Sequence, residues 1–271
     1  MDDLTSHSLF SAVVNKESSH VFPDSTDPVV GRFVAVPGVR KIKEAMLRNV
    51  AVRKTIAWEV ADFSQLSTKQ TEAIQQVVSS LLYSEGHGGE VCGNLVNRVH
   101  YSDISEAFAV QILDESHHSR LLTQYVRGIM KRPILKPPFL SWLAVEQLKR
   151  LRDPIICTMA ASHFVECAAA EVQIELVHNV DEPLLKQVFQ VILRDEARHL
   201  SLGREALLFL LETPFYKKRW KREKALIYRY LLEFYSRITL NQYSSFASLF
   251  GIDIQRIQKR TLEKVDQAVP L

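Results

Sequence analysis

The chain has 271 residues, 46% hydrophobic and 24% charged, enough apolar material for one sizeable core, and its net charge of +3 is too small to require a nucleic-acid partner. Cys92, Cys157 and Cys167 lack a Cys-x-x-Cys spacing and fit a reduced cytoplasmic protein, and the N-terminus lacks a signal-peptide pattern. The longest apolar stretch, 154–172, is broken by His163, Glu166 and Glu171, which argues against a membrane span.

Residues 1–28 are polar, with scattered Ser, Asp and Pro, and read as a mobile arm; 29–271 read as a single domain. A short extended piece fits 28–37, and a helical pattern follows over 39–52. The segment 58–66 connects onward and packs its aromatics onto the core. Ser67 and Gln70 form a capping box that opens a long helix over 68–99. Its middle contains Gly86, Gly88, Gly89 and Gly93, each costing about 1 kcal/mol relative to Ala in a helix interior. Either the helix is interrupted there or the glycines clear space. Ser102 or Asp103 caps a second helix reaching about 129, and the proline-rich 131–138 is a loop. A shorter helix spans 139–152 and a third long one 155–178. Asp181-Glu-Pro opens a fourth, reaching about 212, and one or two further helices fill 217–266. Apart from 28–37 no segment alternates, so the class is all-α.

Two stretches carry the chemistry: Asp114-Glu115-Ser116-His117-His118 and Asp195-Glu196-Ala197-Arg198-His199. On a helix, residues three apart share a face, so each Glu-x-x-His can offer a carboxylate and an imidazole to one metal ion. From the chain's own Asp, Glu and His frequencies, about 0.03 Asp-Glu-x-x-His motifs are expected, and two occur. Glu17-x-x-His20 and Glu175-x-x-His178 lack the preceding Asp and read as strays. Two helices joined by a short turn bring residues to one height when both lie about equally far from that turn. This pairs Glu115 with Glu85 and Glu196 with Glu166, and both spacings are 30 residues. Glu90 and Glu171 lie closer to their turns and match less well. The pattern gives four carboxylates and two imidazoles, Glu85, Glu115, His118, Glu166, Glu196 and His199. That donor set suits two iron ions, or manganese in one or both positions, inside a four-helix bundle.

Over 67–212 the chain resembles the ferritin-like di-iron carboxylate superfamily. The resemblance implies a four-helix bundle with extra N- and C-terminal helices, and a di-iron oxidase or oxygenase that uses O2 to hydroxylate, N-oxygenate, desaturate or cleave a small organic substrate. It also implies that Asp114 orients His199 and Asp195 orients His118, each as a hydrogen-bond partner behind the ligand, in line with the carboxylate a ligating His normally meets. Arg198 matches the Arg that often precedes the His in this family; His117 does not.

Among its branches, the closest in motif are the aldehyde-deformylating oxygenases, through Glu166-Cys167 and the run from Asp195 to Gly203, and the p-aminobenzoate-type N-oxygenases, whose additional His falls here on Ile192. Bacterioferritin-type storage proteins are shorter. The ribonucleotide reductase small subunit has a Tyr where this chain has Leu122, with Tyr125 one turn beyond. A tRNA hydroxylase is a minor alternative. Small residues at Gly88, Gly89, Ala169 and Ala170 serve either close helix packing or an apolar substrate pocket. His87 and His163 are either extra ligands or ordinary core histidines.

The run 216–224 holds six basic residues, either a solvated helix face or a dock for an acidic partner. Aromatics between Phe209 and Phe250, including Tyr228, Tyr230, Phe234 and Tyr235, supply core or homodimer contacts. No glycine-rich nucleotide loop follows a strand, so electrons come from a separate reductase or from the substrate.

Overall fold

The computed structural model describes residues 36–51, 55–99, 101–139, 142, 143, 146, 155–214, 216–218, 220, 221 and 243–268. Among them every regular element is helical. The N-terminal arm, nearly all of the extended piece, much of the 139–152 helix and the aromatics at 228–235 lie outside the described residues. In chain order the helices are α1 (Pro37–Ala51), a 3-10 turn (Trp58–Val60), α2 (Thr68–Val96) and α3 (Ser102–Thr123), which continues as a π turn (Gln124–Ile129). Then come α4 (Ile155–Asn179), α5 (Pro183–Glu212), α6 (Ser244–Phe250) and α7 (Ile254–Ala268).

Helix α2 begins on the expected capping box: Ser67 Oγ accepts from Gln70 N, and the Gln70 side chain accepts from Ser67 N. The glycine run does not interrupt it. Tyr101, with no side-chain cap, stands at the start of α3. The expected cap at Ser102 or Asp103 is absent because the Asp103 carboxylate turns instead to α1. It accepts from Val36 N at 2.9 Å and from Arg40 Nε and Nη2, both at 3.2 Å. That fork fixes α1 across the bundle, and Lys43 adds a 2.6 Å contact to Glu106. At the start of α5 the cap is Glu182, which accepts from Leu184 N, Leu185 N, Asp62 N and Tyr125 Oη. Four donors on one buried carboxylate tie the 58–66 connector and the end of α3 to the α4–α5 turn.

Helix α2 lies along α3, and α4 along α5, each pair joined by a short turn. The two hairpins meet through α3–α5 and α2–α4 contacts, α1 crosses α3 and α5, and α7 lies mainly on α4. The docking of α7 is electrostatic as well as apolar. Arg256 Nη2 stands 2.6 Å from Glu175 Oε2, Lys264 Nζ 2.6 Å from Glu171 Oε1, and Arg260 reaches both carboxylates. Glu171 and Glu175 are buried beneath those cations.

Apolar packing divides into two clusters. One gathers Met46, Leu95, Ile104, Phe164 and Leu207; the other gathers Ile74, Leu122, Leu176, Val188 and Ile192. The Glu and His motifs lie along the helices between them. The fold therefore encloses charged side chains with oil on both sides. Among the described residues no helix is long and apolar enough to cross a membrane.

Candidate metal centre

Each long helix contributes to one point between the two cores. Glu85 comes from α2, Asp114, Glu115 and His118 from α3, Glu166 from α4, and Asp195, Glu196 and His199 from α5. All are buried except Glu166, which is partly so. The helical period of about 3.6 residues explains the local pattern: in each Asp-Glu-x-x-His the Glu and His, three apart, share the inward face, and the Asp turns toward the neighbouring helix.

The imidazoles are held by crossed carboxylates. His118 Nε2 is 3.1 Å from Asp195 Oδ2, and His199 Nε2 is 3.3 Å from Asp114 Oδ2. Asp195 is itself fixed by Asn49 Nδ2 at 2.6 Å and by Arg198 Nη2. Such a carboxylate accepts the Nε2 proton, so in a neutral imidazole the lone pair lies on Nδ1. Both Nδ1 atoms face more carboxylates. His118 Nδ1 stands 3.0 Å from Glu85 Oε2, 3.5 Å from Glu196 Oε1 and 3.8 Å from Glu115 Oε2. His199 Nδ1 lies 3.4 Å from Glu115 Oε1 and 3.4 Å from Glu196 Oε2. Lone pairs converging on lone pairs repel unless a cation lies among them.

Two donor groups follow, each with its ligand atoms within 4.8 Å of one another and each able to hold a metal ion: Glu85, Glu115, His118 and Glu196, and Glu115, Glu166 and His199. Glu115 belongs to both. Buried Glu196 Oε2 and His199 Nδ1 have no hydrogen-bond partner, as expected of atoms reserved for an ion. The donor set therefore fits a metal.

Electrostatics in the protein alone show how strongly the site draws positive charge. Burial pushes the Glu85 carboxyl well above the usual range despite His118, and pushes Glu166 up too, with Glu196 and Glu115 adding to it. Burial acts the same way on Glu115, but hydrogen bonding to His118 and the charge of His199 outweigh it and bring that carboxyl down to about 2. Burial alone would depress both imidazoles. The carboxylates overcome it, Glu85 foremost at His118 and Asp114 at His199, and hold both well above 6.5. Protons thus gather where a metal would sit, so the two compete.

Structure also separates the alternatives left open by the sequence. Glu85 faces the cluster, whereas Glu90 is exposed. A cavity of about 40 Å³ adjoins the carboxylates, bounded by Ser84, Gly88, Val91, Ser162, Val165 and Ala169. That volume holds a few water-sized molecules. Of the four small residues proposed for a pocket, Gly88 and Ala169 line it and Gly89 and Ala170 do not. Gly88 and Ala169 stand three residues beyond a Glu; at four, the helix has turned further, and a Cβ on Gly89 would meet Glu115 Cβ. Gly88 has a clear purpose. A Cβ there would lie 3.3 Å from the Glu115 carboxyl carbon.

His87 and His163 belong to neither donor group. His87 bonds Tyr83 O and Glu146, and His163 faces Cys167 Sγ at 3.7 Å. Two partners escaped the sequence reading. Gln111 Nε2 bridges Glu115 and Glu166 at 3.0 and 3.1 Å, and Asn49 holds Asp195. Gln111 stands one helical turn before Glu115, a spacing that could have signalled it; Asn49, on a distant helix, left no sequence signal. In the basic run, Lys217, Lys218 and Lys221 are exposed while Tyr216 and Trp220 are buried, the pattern of an amphipathic helix face.

No family model matches this chain, and no curated protein matches it.

Proposed function

We propose that the protein is a non-haem di-metal oxidase or oxygenase of the ferritin-like carboxylate type, holding two iron ions, or manganese in one or both positions, and acting with O2 on a small organic substrate. The observation that carries this reading is the pair of donor groups sharing Glu115, with both imidazole Nδ1 atoms turned toward carboxylates. Four Glu carboxylates supply about the charge that two divalent cations neutralise, which a single ion would leave half uncompensated.

Two iron ions would supply the electrons for O2 reduction. The chain's own residues set the conditions. Asp114 and Asp195 fix the imidazole rings and tautomers, Gln111 restrains Glu115 and Glu166, and the apolar clusters on either side exclude bulk water. Gly88 and Ala169 keep space beside the carboxylates for a molecule of O2 size. Electrons for turnover come from a reductase or from the substrate.

The test is anaerobic loading with Fe(II) followed by exposure to O2. About two irons per chain, consumption of about one O2 per pair and an O2-dependent change in the visible spectrum support the reading. Iron content near zero contradicts it. Oxidation of many irons per chain in a cage-sized particle would assign the chain to storage instead.

A further inference from the structure

The cavity beside the carboxylates is too small for an organic substrate, but a far larger one lies against its wall. A groove of about 870 Å³ runs between the outer face of α2 and the residues Ile134 to Pro137, Phe139 and Trp142. Its volume falls in the range of small-molecule sites. Three of the six most exposed large hydrophobic side chains among the described residues, Leu135, Phe139 and Trp142, line this one groove, and Phe139 stacks near Trp142 with ring centroids 5.7 Å apart. Such clustering of exposed apolar surface marks a binding site more often than chance scatter.

Two exposed cations, Arg127 and Lys136, line the same groove, and neither forms an ion pair among the described residues. The acid in its lining, Glu90, lies on α2. Apolar walls with a pair of cations match a molecule with an apolar body and one carboxylate.

The groove and the inner cavity share one lining residue. His87 lines both. Its Nδ1, 2.8 Å from Tyr83 O, donates to that carbonyl; its Nε2 is 3.2 Å from Glu146 Oε1, which also accepts from Tyr83 Oη at 3.4 Å. The ring lies 4.0 Å from that of Tyr83, so the partition is pinned on several sides.

We propose that this groove binds an organic monocarboxylate with an extended apolar body, its carboxylate at Arg127 and Lys136 and its body against Leu135, Phe139 and Trp142, and that His87 is the partition between this site and the metal-centre cavity. The partition's purpose rests on the di-metal reading; the binding site does not. Calorimetric titration of the metal-free, full-length protein therefore tests the groove separately, while metal content tests the centre. With 4-phenylbutyrate as probe, saturable binding at one site per chain is expected, about tenfold tighter than for 4-phenylbutanol. Exchanging both surface cations (Arg127→Gln with Lys136→Gln) removes that advantage and leaves the alcohol unchanged, whereas Trp142→Ala weakens both probes. Equal affinity for acid and alcohol, an unchanged affinity in the double variant, or no saturable binding (as when 1–35 or a second copy covers the groove) overturns the binding site. For the partition, His87→Ala in Co(II)-loaded protein should speed access of azide to the metal several-fold, read from visible absorption; an unchanged rate overturns it.

Discussion

Removing the carboxylate common to both donor groups separates a two-ion centre from a single site with acidic neighbours. Glu115 lies 3.8 Å from His118 Nδ1 and 3.4 Å from His199 Nδ1, and it alone appears in both sets of converging donors. An ion bound only to the folded state at a hundredfold excess over its Kd adds about 2.7 kcal/mol, so two ions add about 5 kcal/mol. In a domain of this size that corresponds to a metal-dependent rise in Tm of about 10–20 °C. Glu115→Ala should abolish nearly all of this rise, and metal analysis should find nearly no bound ion. Glu85→Ala and Glu166→Ala should each lose about half, because each belongs to one group. Every variant is compared with its own metal-free form, so the effect of the substitution on the bare fold cancels. The assay is paired thermal melts with and without Fe(II) under anaerobic conditions, together with elemental analysis. Retention of two ions by Glu115→Ala, or a loss from exposed Glu90→Ala as large as that from Glu85→Ala, would refute the reasoning.

Other predictions draw on the surroundings of the site. Asp195→Asn and Asp114→Asn leave every ligand in place but loosen the opposite imidazole, so metal affinity should fall about 10–100-fold, measured by chelator competition. Gly203→Ala places a Cβ 2.7 Å from His163 Nδ1 and should cost about 1–3 kcal/mol in denaturant melts; combining it with His163→Ala should restore part of that loss. Burial, with Arg204 adding to it, depresses the His163 imidazole to about 4 from 6.5. Folded His163 therefore stays neutral while the unfolded chain takes up a proton, so its contribution is full above about pH 6.5 and is lost as pH falls toward 4. At saturation that gap is worth about 3 kcal/mol. His163→Gln should flatten the stability–pH curve relative to wild type over that window, and an unchanged slope would count against it.

The sequence was most informative where local chemistry repeats. The two Asp-Glu-x-x-His motifs, the equal spacings to Glu85 and Glu166, and the Ser67–Gln70 box all depend on helical period and turn geometry, which short-range residue patterns encode. Asp103 misled because Asp near a helix start is a good cap, and nothing local shows that Arg40 and Val36 take its carboxylate instead. Burial of Glu171 and Glu175 was equally invisible, since the cations that neutralise them sit more than 80 residues later on α7. The glycine run left two readings open. Only the distance from Gly88 to the Glu115 carboxyl shows that a glycine there clears space without breaking the helix.

The most direct test of the central claim is anomalous diffraction from crystals grown anaerobically with Fe(II) or Mn(II). Two peaks are expected, one bonded to His118 Nδ1 and one to His199 Nδ1, both within bonding distance of Glu115. A single peak, an ion bonded to Nε2 of either imidazole, or no peak between these four helices would contradict the account.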